Sequence, residues 1–168
     1  MKFVITGALG HIGSFVTRHL AVNFPHAEVV MIDNLMTSRF PSLFNLPKTC
    51  TYQFINGDLL KLNLTPILSN CDVVIHLAAI TDAAGSFGRE KETEWNNLQS
   101  TMLVGKACIE SGSKLISLSS TSVYGTQDSV VDENCALDEL QPQSPYASCK
   151  LKEEAGLKSL KEQGLEFA

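Results

Sequence analysis

Short, nearly continuous apolar runs alternate along this chain with longer stretches whose apolar residues recur every three or four positions. The first pattern marks strands buried on both faces and the second marks helices. Strands are predicted at Lys2 to Thr6, Glu28 to Ile32, Thr51 to Asn56, Cys71 to Leu77 and Lys114 to Ser119. His11 to Phe24 reads as a helix with Ile12, Phe15, Val16 and Leu20 on one face. A longer helix is expected from about Arg89 to Ser111, closed by Gly112 in the C-cap position. Residues 120–145 read as an irregular loop, after which Pro145 opens a helix carrying Tyr146 to Lys161. Strands joined by helix-length crossovers imply a parallel sheet with helices on both faces, a doubly wound α/β fold.

Length and charge narrow the picture. The chain has 168 residues, enough for one domain, with 44% hydrophobic and 18% charged residues. That balance excludes disordered and low-complexity classes. A net charge of -5 and the lack of a basic stripe argue against nucleic-acid binding. Apolar runs such as Val73-Val74-Ile75 fall far short of the roughly 20 residues of a membrane span. The five cysteines show no C-x-x-C spacing and read as free thiols. Met1 to Gly7 breaks into glycine-rich sequence too early for a secretory leader, so a soluble cytoplasmic protein is expected. Gly164-Leu165-Glu166-Phe167-Ala168 reads as a helix end followed by the opening of another strand, so a fragment is expected.

Two segments carry chemistry. The first strand runs into Thr6-Gly7-Ala8-Leu9-Gly10-His11-Ile12-Gly13, the pattern T-G-x-x-G-x-x-G. Gly7 and Gly10 permit a sharp turn close to a pyrophosphate, and Gly13 lets the helix pack tightly on the sheet. The helix N-terminus then offers free N–H groups to phosphates. Asp33 follows Gly13 by 20 residues, at the end of the second strand. An acid there accepts hydrogen bonds from the ribose hydroxyls and repels a 2′-phosphate, which favours NAD over NADP; Arg39 is the residue that would weaken that preference.

The second segment is Tyr146-Ala147-Ser148-Cys149-Lys150, with Tyr146 and Lys150 four apart on one helix face. A phenol titrates near ~10, and a fixed ammonium nearby favours its phenolate form. Upstream, Leu118-Ser119-Ser120-Thr121-Ser122-Val123-Tyr124-Gly125 leaves a strand at the same sheet edge as the glycine turn, so a hydroxyl there can serve the same site. His11, His19, His26 and His76 show no metal-ligand grouping and read as core or surface residues. Asp132-Glu133 and Glu153-Glu154 read as solvated faces, Trp95 as packing, and Asp82 as a residue near the substrate.

Taken together, TGALGHIG, DNL (33–35), GDL (57–59), HLAA (76–79), SSTSVYG and YASCK resemble the extended short-chain dehydrogenase/reductases. The closest resemblance is to the NAD-dependent epimerase/dehydratase family acting on nucleotide sugars, with DNLMTS (33–38) and SSTSVYG similar to galactose-epimerase-like members. The resemblance implies a Rossmann-type NAD-binding domain over residues 1–168, with a substrate domain lying beyond this chain. It implies that Gly7, Gly10, His11, Ile12 and Gly13 hold the pyrophosphate, and that Asp33, Asn34, Leu35, Thr37 and Ser38 surround the adenosine ribose. Asp58 and Leu59 would lie at the adenine; Leu77, Ala78, Ala79 and Thr81 would follow the fourth strand, and Asn97 would support the site from the long helix. Ser120, Tyr146 and Lys150 match the catalytic trio, Tyr146 and Lys150 also touching the cofactor.

Two positions depart from family patterns. Galactose epimerases carry lysine where this chain has Thr81, and dehydratases carry an Asp-Glu pair where it has Thr121 and Ser122. Elimination of water needs such an acid and base, so epimerisation or simple redox is expected. The implied activity is nucleotide-sugar epimerisation at C4, by transient oxidation to a keto-sugar and return of the hydride, with a UDP-sugar as substrate. A net nucleotide-sugar oxidoreductase or decarboxylase on the same scaffold, and a non-catalytic NAD-binding module, remain open. The resemblance also implies a homodimer paired through the segments 89–111 and 145–161.

Overall fold

Lys2-Phe3-Val4-Ile5-Thr6 has no solvent face: Phe3, Val4, Ile5 and Thr6 are all buried, as a central parallel strand requires. The computed structural model describes residues 1–81, 88, 90–127 and 130–168. Among these, β1 (Lys2–Thr6), β2 (Glu28–Asp33), β3 (Thr51–Asn56), β4 (Val73–His76) and β5 (Lys114–Ser117) form one sheet in the order β3-β2-β1-β4-β5. Every pairing is parallel, with Val4 opposite both Val30 and Val74. Phe167 adds a parallel bridge beside Leu115, where the sequence predicted a further strand to open.

Side-chain alternation sends the two halves of each strand to different helices. Phe3, Ile5, Val29, Met31 and Ile75 pack with Leu20 and Val16 of α1 (His11–Asn23). Between β3 and β4 lies a single turn, α2 (Leu64–Ile67), capped by the Asn63 side chain. On the opposite face, Val4, Val30, Val74 and Leu115 pack with Val104 and Cys108 of α3 (Glu90–Ser111) and with Leu157 and Leu160 of α4 (Pro145–Lys161). Ser144 caps α4 by accepting from Ala147 N–H at 3.1 Å, with Pro145 in the first helical position. Gly112, at φ +70°, ends α3 as its position predicted.

Two packing expectations fail. Ile12 and Phe15 face outward, Phe15 at 68% exposure, whereas Gly13, Thr17, Leu20 and Ala21 meet the sheet. A Cβ at Gly13 would fall on the Gly7 carbonyl and the Ala8 backbone, so the helix approaches on its smallest residues and turns its bulk away. Trp95 is 64% exposed on α3 and packs little. Asp82 lies outside the described residues. No helix among them is long and apolar enough to cross a membrane.

Candidate active site

The strand order reverses direction between β1 and β4, and ligand crevices form beyond the carboxyl ends of strands at such a point. A cleft of about 420 Å³ opens there. At one end, Gly7 turns at φ +65°, with its Cα so close to the segment after β4 that a Cβ would stand 2.7 Å from the Ala78 nitrogen. Gly10 N–H closes the turn on the Gly7 carbonyl at 3.1 Å. Gly10 is also the N-cap of α1, with neither a side-chain cap nor an acid in the first turn. The first N–H groups of α1 therefore face the cleft without a local anionic partner, which fits a pyrophosphate.

Asp33 joins this turn to the end of β2. One carboxylate oxygen accepts from Leu9 N–H at 3.0 Å, and the other from Leu35 N–H at 2.9 Å. Asn34 and Thr37 line the cleft with Asp33, as do Asp58 and Leu59 from the end of β3. Leu35 and Ser38 take left-handed φ of 59° and 53° and shape the turn without lining the cleft. His11, Ile12, Leu77, Ala78, Ala79 and Thr81 contribute the remaining walls named from sequence. Asn97 stands behind them, fully buried: it accepts from Ile80 N–H at 2.8 Å and donates to the Ile80 carbonyl at 2.9 Å. It clamps the segment after β4.

Tyr146 and Lys150 close the other end. The ammonium lies 5.8 Å from the Tyr146 ring centroid and 2.9 Å from Glu153 Oε2. Burial pushes the phenol above its ordinary 10, Lys150 draws it down, and Glu153 and Cys149 push it up. The expected lowering by the lysine is thus present, but burial outweighs it. Cys149 is pushed up to about 12, by burial first and then by Glu153, so it is no nucleophile. Ser120 does not share the cleft lining. Its Oγ pairs with Ser122 Oγ at 2.7 Å and lines an adjoining cavity of about 480 Å³, while Ser119 lines both.

The model of the NAD dependent epimerase/dehydratase family matches residues 3–168. The chain belongs to that family. A UDP-glucose epimerase of Bacillus subtilis, itself uncharacterized, is 34% identical over 158 residues, covering 90% of this chain and 49% of that protein. The mouse (Mus musculus) dTDP-D-glucose 4,6-dehydratase is 31% identical over 164 residues, covering 94% of this chain and 45% of that protein. Among solved structures, a UDP-glucuronic acid 4-epimerase from Bacillus cereus, in complex with UDP-glucuronic acid and NAD, superposes with a TM-score of 0.89. It is 31% identical, and the match covers 100% of this chain and 55% of that one. The chain spans between 23% and 49% of the length of the first curated relatives it matches.

For an epimerase/dehydratase family member, the residues missed by sequence reasoning are as informative as those found. Asn96, Ser100 and Ser119 line the cleft without having been singled out, while Met36, within the 33–38 stretch, and Arg39, named for its bearing on coenzyme preference, line it as well. Glu153, read from sequence as solvated, is only 3% exposed. Its signal was available: positions 150, 153, 157 and 160 share one helical stripe, and Leu157 and Leu160 mark that stripe as core. His76 is buried too, and its imidazole is held down to about 3, by burial and then by the charge of Lys150. Among the described residues, no three His, Cys, Asp or Glu side chains group to hold a metal.

Proposed function

We propose that this chain is the NAD-binding part of a nucleotide-sugar epimerase acting at C4 of a UDP-sugar. The observation that carries the reading is a single cleft with the glycine turn and Asp33 at one end and Tyr146 with Lys150 at the other. In this reading the Gly7–Gly13 turn and the N-terminus of α1 hold the pyrophosphate, Asp33 the adenosine ribose, and Asp58 and Leu59 the adenine edge. When bound, NAD supplies a reversible acceptor for hydride. Tyr146 removes the sugar hydroxyl proton and later restores it, and Lys150 stabilises the phenolate that proton transfer requires. Ser120, on the adjoining cavity, steadies the sugar hydroxyl.

Epimerisation is favoured over dehydration because Thr121 and Ser122 hold hydroxyls where elimination needs an acid and a base. Pairing of two copies through α3 and α4 belongs to the same proposal, supported by the exposed Trp95 and Leu103 on α3. The test is Tyr146→Phe in the whole protein, assayed with UDP-sugars. Turnover to the C4 epimer should vanish while NAD affinity stays within about threefold, since the hydroxyl serves the chemical step. A variant with near-parental turnover, or a parent that releases a 4-keto-6-deoxy product, would overturn the reading.

A further inference from the structure

Five buried polar side chains from four elements form one continuous chain behind the cleft. Glu153 Oε2 joins its last two members, accepting from Lys150 Nζ at 2.9 Å and from Thr101 Oγ1 at 3.1 Å. A carboxylate only accepts, so the Thr101 hydroxyl spends its proton on Glu153 and must itself receive from His76 Nε2, 3.1 Å away. That assigns the imidazole proton to Nε2 and leaves Nδ1 to accept from the Thr6 hydroxyl at 2.7 Å. The Thr6 oxygen in turn receives the N–H groups of Leu77 and Ala78, at 3.2 and 3.3 Å. Each hydroxyl and imidazole proton in the chain is thus passed on in the direction of Glu153, which also takes one N–H of the Lys150 ammonium. The neutral imidazole this requires agrees with the low value of His76.

We propose that Glu153 is a positioning residue of the site: it ties the Lys150 ammonium, through Thr101, His76 and Thr6, to the cleft backbone at Leu77 and Ala78. This rests on the assignment of the cleft to NAD. Lys150 is 6% exposed, and among the described residues its ammonium is hydrogen-bonded to Glu153 and lies beside the Tyr146 ring. The tie is electrostatic as well as geometric. Tyr146 faces Lys150, Glu153 and Cys149 on its own helix; His76 from β4 feels Lys150, and Glu94 from α3 reaches Cys149. Glu153 holds the ammonium in place while opposing its pull on the phenol.

Two variants of the whole protein separate position from charge. Glu153→Gln keeps a carbonyl oxygen for Lys150 and Thr101, and its amide can face Cys149 Sγ, which contacts the other carboxylate oxygen at 3.6 Å. It should bind NAD within about threefold of the parent, yet its Tyr146 phenolate should appear at lower pH, read by near-ultraviolet absorbance against Tyr146→Phe. Glu153→Ala leaves Lys150 and Thr101 without their acceptor and should weaken NAD by roughly tenfold or more in calorimetry. Should Glu153→Ala fail to fold, the Gln variant alone decides. An unmoved Tyr146 titration in Glu153→Gln, or unchanged NAD affinity in a folded Glu153→Ala, overturns the proposal. A parent that does not bind NAD sinks the functional reading instead, and the Tyr146 titration still tests the tie.

Discussion

The buried His76 makes the stability of this domain a function of pH in a calculable way. Its side chain is 4% exposed and neutral, with its value moved from the ordinary 6.5 to about 3. The unfolded chain therefore holds a proton between those values that the native state refuses, so acid favours unfolding. His76 imposes no pH-dependent penalty above about 6.5, and its full penalty is reached as pH falls toward about 3. At ~1.4 kcal/mol per unit, that window represents roughly 4–5 kcal/mol. A typical domain has only about 5–15 kcal/mol in all. The perturbation is His76→Gln, whose amide oxygen can accept from Thr6 and whose NH₂ can donate to Thr101 without titrating. Urea unfolding across the window should give the parent a steeper fall than the variant, by about 1.4 kcal/mol per pH unit near the middle. A constant offset at neutral pH is expected and does not enter the comparison. Parallel curves for the two proteins would refute the buried neutral imidazole.

Two further substitutions probe the scaffold. Gly7→Ala places a Cβ at φ +65° and 2.7–2.8 Å from the backbone of Leu77 and Ala78, which has no side chain to swing aside. A left-handed alanine alone costs about 1–2 kcal/mol, so the unfolding free energy from urea titration should drop by more than that, and an unchanged midpoint would disprove the close approach. The Tyr52 hydroxyl is buried without a hydrogen-bond partner among the described residues. Tyr52→Phe should therefore be neutral or raise stability by about 1 kcal/mol, whereas a loss of that size in thermal melts would mean the hydroxyl is satisfied.

The sheet was legible in the sequence because its central strands are enclosed on both faces and leave no polar position to confuse the pattern. β1 begins and ends as its apolar run predicts, the edge strand β3 as its alternation of apolar and polar residues predicts, and β2 runs one residue further, to Asp33. α1 misled for the opposite reason. A helix that must nearly touch its sheet is ordered by size, and periodicity in hydrophobicity cannot report that Phe15 is too large to face inward. The glycine turn, Asp33 and the Tyr146–Lys150 pair were readable because local spacing alone brings their parts together. The chain from Thr6 to Glu153 was not, since its members lie up to 147 positions apart and meet only after α3 and α4 have docked. Ser120 was assigned by the resemblance of SSTSVYG to the family's motif, and the turn it caps after β5 leaves it lining the neighbouring cavity.

The double engagement of Asp33 has a consequence for redesign. Both oxygens already clasp main-chain amides, one in each of the two loops that flank the crevice. Retuning this protein toward the phosphorylated dinucleotide by exchanging the acid for a neutral or basic side chain would undo a staple at the same stroke. On the proposed reading of Asp33 as the ribose acid, selectivity and loop geometry are written in one residue, and an engineer would have to supply a replacement fastening before asking for a new coenzyme.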